Sequence, residues 1–120
     1  MAKAVDNTVL DAALDKIATA TRASLCSGQP ANFAGIAAVA LADVTIDSGD
    51  FTKADGDTSG RKVTVAAQSG VTVDATGTGT HIALDDGTTL LYVTTCSSTA
   101  VTSGGTVDLG AWDVEIADPS

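Results

Sequence analysis

The stretch Thr78–Thr95, TGTHIALDDGTTLLYVTT, reads as a β-hairpin. Two apolar, β-branched runs flank Asp85-Asp86-Gly87, and an Asp-Gly pair supplies the positive φ values that a tight reversal needs. By the two-residue period of a strand, Ile82 and Leu84 share one side of the first arm, and His81 and Ala83 the other. On the second arm Leu91 and Val93 alternate with Leu90 and Tyr92. Because both faces of that return arm are apolar, it is expected in the middle of a sheet, covered on each side.

Outward from the hairpin the chain continues as short strands. Beyond it, Thr99–Val101 reads as a strand, and Ser103-Gly104-Gly105 as a turn. Val107 and Leu109 then open a last pair with Trp112, Val114 and Ile116, which alternate with Asp113 and Glu115 and so show one face to a core and one to water. The tail, Ala117–Ser120, holds a proline that stops further pairing. Before the hairpin, Val63 and Val65 alternate with Lys62, Thr64 and Ala66, and Gln68-Ser69-Gly70 turns the chain into Val71–Ala75. The segment from Asp47 to Gly60, with three glycines and four aspartates, reads as a surface loop of the kind that often carries contacts. Further back lie a strand over about Leu41–Ile46, a loop or single helical turn before it, and a first strand over Arg22–Ser27 that Gly28 and Pro30 end.

The N-terminus reads as a helix. Val9, Leu10, Ala13, Leu14, Ile17 and Ala20 follow a helical spacing, with Asp11, Asp15 and Lys16 at other positions. Asn7 or Thr8 is the expected cap, with Asp11 completing a partial capping box after Thr8. Such a stripe packs on its own sheet or docks on a neighbouring subunit. In the second case Leu10, Leu14 and Ile17 are the anchors, joined by the acidic loop residues Asp55 and Asp57.

About eight short strands with regularly spaced turns predict a mainly β protein, an antiparallel β-sandwich or small barrel with an N-terminal α-helix. The 120 residues are expected to form one domain, with the helix over 1–21, the sandwich over 22–117 and a tail over 118–120. Its core is expected to include Ile82, Leu84, Leu91, Val93, Trp112, Val114 and Ile116. Aromatics are only 3% of a chain that is 44% hydrophobic, so Val, Leu, Ile and Ala must build most of it.

Charge narrows the partners. At a formal −9 and a pI near 4.1, the chain would repel phosphate backbones and anionic lipid, so neither nucleic acid nor a membrane is an expected partner. No apolar run approaches the roughly 20 residues that span a bilayer. The start, MAKAVDNTV, lacks the apolar centre of a secretory signal, so synthesis in a cytosol is expected.

No pattern assembles a reaction centre. His81 is the single histidine, and no local pattern brings a nucleophile and an orienting acid to it, so a structural or surface histidine and a chain without enzymatic activity or cofactor are expected. Asp55-Gly56-Asp57-Thr58-Ser59-Gly60 matches the first half of a calcium loop. The bidentate acid of such a loop would fall at Ala66, so a solvated turn is preferred, and Asp50, Asp55 and Asp57 are only weak metal candidates. For Cys26 and Cys96 two readings stand. They are buried free thiols, or they form a disulfide whose long loop would contribute about 4 kcal/mol.

Five segments together resemble a group of small virion proteins of tailed phages and prophages: ATRASLCSGQPANF, SGDFTKADGDTSGRKVTV, ATGTGTHIALDDGTTLLYVTT, VTSGGTVDL and AWDVEIADP. The most specific parts are Thr80–Asp85, Leu90–Tyr92 and Val101–Val107. The resemblance implies a structural role in the virion, first as a capsid decoration or cement protein that stabilises the head shell, alternatively as a collar, neck, tail-fibre or spike adhesive module. The implied partners are the major capsid protein or other virion proteins and the chain itself, as a homo-oligomer such as a trimer. It carries no catalytic residue over.

Overall fold

Asp6 opens the first helix. Its carboxylate accepts hydrogen bonds from the Thr8 backbone N–H at 2.8 Å and hydroxyl at 2.7 Å, capping α1 (Asn7–Ile17) in this computed structural model, which describes residues 4–118. The cap thus falls just ahead of the expected Asn7 or Thr8, because Thr8 serves as donor. The expected stop at the proline of the tail lies outside the described residues.

Among the described residues nine strands follow: β1 (Arg22–Cys26), β2 (Ala40–Thr45), β3 (Phe51–Asp55), β4 (Arg61–Val65), β5 (Gln68–Thr72), β6 (Gly77–Asp85), β7 (Leu90–Val101), β8 (Thr106–Leu109) and β9 (Trp112–Ile116). One helical turn, α2 (Ile36–Val39), precedes β2, and a 3-10 turn over Ser48–Asp50 precedes β3. All pairings are antiparallel, in a four-stranded sheet β2-β1-β6-β7, a three-stranded sheet β3-β4-β9 and the pair β5-β8. The mainly β architecture with an N-terminal helix is therefore as read from the sequence, a small β-sandwich.

The hairpin β6-β7 sits where expected, but its turn is longer. Asp86–Thr89 link the arms, and only Gly87 takes positive φ, at +94°. The Asp86 carboxylate gathers the Thr88 and Thr89 N–H groups and the Thr88 hydroxyl. Those bonds, the one from Thr89 foremost, hold its pKa below the ordinary value. Further along β6, a Cβ at Gly79 would come within 2.6 Å of the Leu25 side chain, so glycine there lets the two strands close over the core.

Several local expectations are corrected. β7 is an edge strand, not a central one; β1 and β6 are the middle of the sheet. The return arm looked covered because its apolar residues serve a half-buried inner face and a partly strapped outer face, which a two-residue period cannot distinguish from full burial. Residues 51–55 of the acidic loop form β3, which pairs with β4 along its whole length, Phe51 opposite Val65 and Lys53 opposite Val63. Thr99–Val101 is the end of β7, and the strand expected from Val71 starts at Gln68. β8 and β9 do not pair with each other; they add to β5 and β4. Of the expected core, Ile82, Leu84 and Val114 are buried, whereas Leu91, Val93, Trp112 and Ile116 are half-buried.

The core lies between the sheets. Leu25, Ile82, Val71, Val73, Val101 and Leu109 join the four-stranded sheet to β5-β8. Ala23, Leu84, Ile46 and Val65 join it to the three-stranded sheet. Leu14, fully buried, closes the far end against Val63 and Val114. Leu10 is buried as well, and Ile17, half-buried, packs against Leu14 and its neighbours. The three side chains expected as anchors for a neighbour are thus part of this chain's own core, and the helix lies on its own sheet. Asp11 pairs with Arg61 at 2.9 Å and Asp15 with Lys53 at 2.8 Å, holding the helix over β3 and β4.

Candidate functional site

The two faces of the four-stranded sheet differ. Register places Ala23 beside Leu84 and Leu25 beside Ile82 on the inner face, and Arg22 beside Asp85, Ser24 beside Ala83 and Cys26 beside His81 on the outer one. Alternation therefore sends each side chain of β1 and β6 with distinctive chemistry outward. The segment after β1, with Phe33 and the buried Ile36, straps over that face.

Asp85 is the centre of this face. Its side chain is only 1% exposed, and it accepts from Arg22 Nε at 2.9 Å and from the Gly87 N–H at 3.0 Å. A buried carboxylate needs such partners, since an unpaired one would lose its hydration without replacement. Arg22 stays 38% exposed, and its guanidinium carbon lies 5.9 Å from the centre of the Phe33 ring, within cation–π reach. Thr21, Arg22, Phe33, Thr45, Asp85 and Gly87 line a shallow hollow here. A second hollow lies between Ala31–Ala34 and Thr88–Leu90.

His81 has a hydroxyl for a neighbour. Its Nδ1 lies 2.8 Å from Thr80 Oγ1, and that hydroxyl donates to the Ser27 carbonyl oxygen at 3.1 Å. Ser24 is fully buried, and its hydroxyl has no hydrogen-bond partner among the described residues.

The two cysteines are free thiols. Cys26 lies on the outer face opposite His81, whereas Cys96 packs on the inner cluster of Leu25 and Ile82. β6 stands between their strands, a lateral separation of about 9.5 Å, against roughly 4.4–6.8 Å between the Cα atoms of a bridged pair. Of the two readings, the structure has the free thiols, with Cys26 buried and Cys96 half-buried. Burial pushes the Cys26 thiol up to about 11, with nearby Arg22 opposing the rise, and burial raises that of Cys96 as well. Both are poor nucleophiles at neutral pH.

The weak metal candidates do not converge. Asp50 accepts from the Asp47 N–H and from Gln68 Nε2, Asp55 pairs with Arg61 at 2.7 Å, and Asp57 pairs with Lys62 at 2.7 Å. The turn between β3 and β4 is tied by Glu115, whose carboxylate accepts from the Asp57 and Thr58 N–H groups. Among the described residues no group of three or more His, Cys, Asp or Glu side chains could hold a metal ion.

No family model, curated protein or solved structure matches the chain. Among the described residues, no helix is long and apolar enough to cross a membrane.

The Arg22–Asp85 pair was missed at the sequence level, where Arg22 opens a predicted strand and Asp85 stands at the predicted turn. A basic residue opening one apolar strand and an acid ending another was the available signal. Their register needed the third dimension.

Proposed function

We propose that the chain is a non-enzymatic structural protein of a tailed-phage particle, made in the host cytoplasm and attached to the head shell as a decoration protein. The observation that supports this most is the use to which the resembling residues are put. Thr80–Asp85 and Leu90–Tyr92 are the two arms of the central hairpin, and Val101–Val107 leads from β7 into β8. Within them the groups with reactive chemistry bind the fold together: Asp85 holds Arg22 and the hairpin turn, and His81 meets Thr80. The major capsid protein is the proposed partner. Small acidic β modules suit a surface that must stay soluble while it is repeated many times.

Adding purified protein to particles that lack it, and imaging them, tests the reading. Copies spread over the whole shell are expected, for His81→Gln as for wild type. A few copies at one vertex would instead favour a neck or tail-fibre module, and an absence of binding would overturn a virion role.

A further inference from the structure

β7 has β6 on one side and no strand on the other among the described residues. An open edge presents unpaired N–H and C=O groups, and natural edges are usually guarded by charge, by proline or by cover. In the two larger sheets the other outer strands carry such guards. β3 has Lys53 and Asp55, and β9 has Asp113 and Glu115. β2 carries Asp43, and its Leu41 carbonyl accepts from the N–H groups of Asp74 and Ala75. β7 lacks charge and proline, since neither occurs between Asp86 and Asp108.

Within β7 the segment Leu90–Thr95, LLYVTT, combines β-branched, aromatic and apolar residues without glycine. Such a six-residue run, uncharged and strand-forming, readily pairs with another strand. The register with β6 is irregular at Leu91, which has no partner between Leu90 and Tyr92, and again beyond Thr95, where Gly79 pairs with Thr99. Between them Tyr92, Val93, Thr94 and Thr95 run in regular register. The side chains there are half-buried, apart from the exposed Thr95.

We infer that this edge is where two copies of the chain join, β7 against β7 in antiparallel fashion, giving one continuous eight-stranded sheet. The charge pattern selects the occupant. Two chains each at a formal −9 repel wherever carboxylates face each other, and this edge brings none of them together. A basic partner would gain more at β9, where Asp113 and Glu115 stand. Symmetry then restricts the register. A two-fold axis perpendicular to a sheet maps each face onto itself, so the axis passes beside a residue paired with its own copy. Centring on Val93 sets two β-branched side chains opposite each other and Tyr92 opposite Thr94, which are favourable cross-strand pairs. The inference stands apart from the virion reading, because it concerns the chain in solution.

Sedimentation of the purified full chain over a range of concentrations tests it. Wild type should approach twice the 11.8 kDa chain mass. Val93→Lys, which sets two ammonium groups face to face, should sediment at half the wild-type mass with its circular dichroism spectrum unchanged. Thr95→Lys, at an exposed position that this register sets opposite Leu91 of the second copy, places an ammonium group against an apolar side chain and tests the same edge if Val93→Lys does not fold. In a Cys96→Ser background, Val93→Cys should form a disulfide-linked dimer on mild oxidation, and Ser103→Cys should not. Wild type that sediments as a monomer throughout would overturn the inference, as would a dimer or larger ring that Thr95→Lys leaves intact. A monomer that still coats particles would remove this inference alone and leave the virion reading standing.

Discussion

The inner and outer faces of the four-stranded sheet are built from alternate residues of the same strands, yet they obey different rules. Inside, Ala23, Leu25, Ile82 and Leu84 contribute by being displaced from water, in contact with two further sheets. Outside, Arg22, Ser24, Cys26, His81 and Asp85 lie under a short strap, and each polar group must find a partner or bear the cost of lacking one. The apolar face is uniform, so any one of its residues behaves as its neighbours do. The polar face is particular, and each position has its own sign.

The sharpest test of that difference starts inside. Leu84→Ala removes a fully buried side chain where two sheets meet and should lower unfolding stability by about 2–5 kcal/mol in a urea titration. A loss much below this range would mean that the inner face relaxes around the cavity.

On the outer face, Arg22→Ala would leave the Asp85 carboxylate buried with only the Gly87 N–H as a partner. A loss of about 1–3 kcal/mol is expected. It should stay below that of a fully buried ion pair, because Arg22 is 38% exposed and water screens it. Retaining Arg22 while replacing Asp85 with Asn should cost less, since an arginine near the surface can recover its hydration. Equal losses for the two variants would show that the pair, not the stranded acid, sets the energy.

The smallest effect should have the opposite sign. Ser24→Ala removes a buried hydroxyl without a partner and should raise stability by about 1 kcal/mol, the lower end of what an unsatisfied buried group costs. Thermal unfolding followed by calorimetry would read it as an upward shift of Tm. A downward shift would mean that the hydroxyl is satisfied in solution.

Much of the fold was legible because short-range physics decided it. Strand period, the Asp-Gly turn and the helical stripe of Leu10, Leu14 and Ile17 are properties of neighbouring residues, and they located α1, β1, β4, the β6-β7 hairpin and β9. What these patterns lack is a partner. Leu10, Leu14 and Ile17 marked an apolar face without saying whether Val63 and Val114 of the same chain or a second molecule would cover it. Likewise LLYVTT is a strand in any setting, whether central or at an edge.

Long-range pairing settled those questions. Strand order made β7 an edge, set β6 between Cys26 and Cys96, and brought Arg22 beside Asp85. It also gave Asp55 and Asp57 cations from β4, where the sequence alone displayed half of a calcium loop. By itself, then, the sequence determined which segments extend, where they turn and which side of each is apolar, because those depend on residues a few positions apart. Only the tertiary structure decided which faces are covered and which charges meet, because contacts between residues far apart in the chain exist once the strands have taken their order.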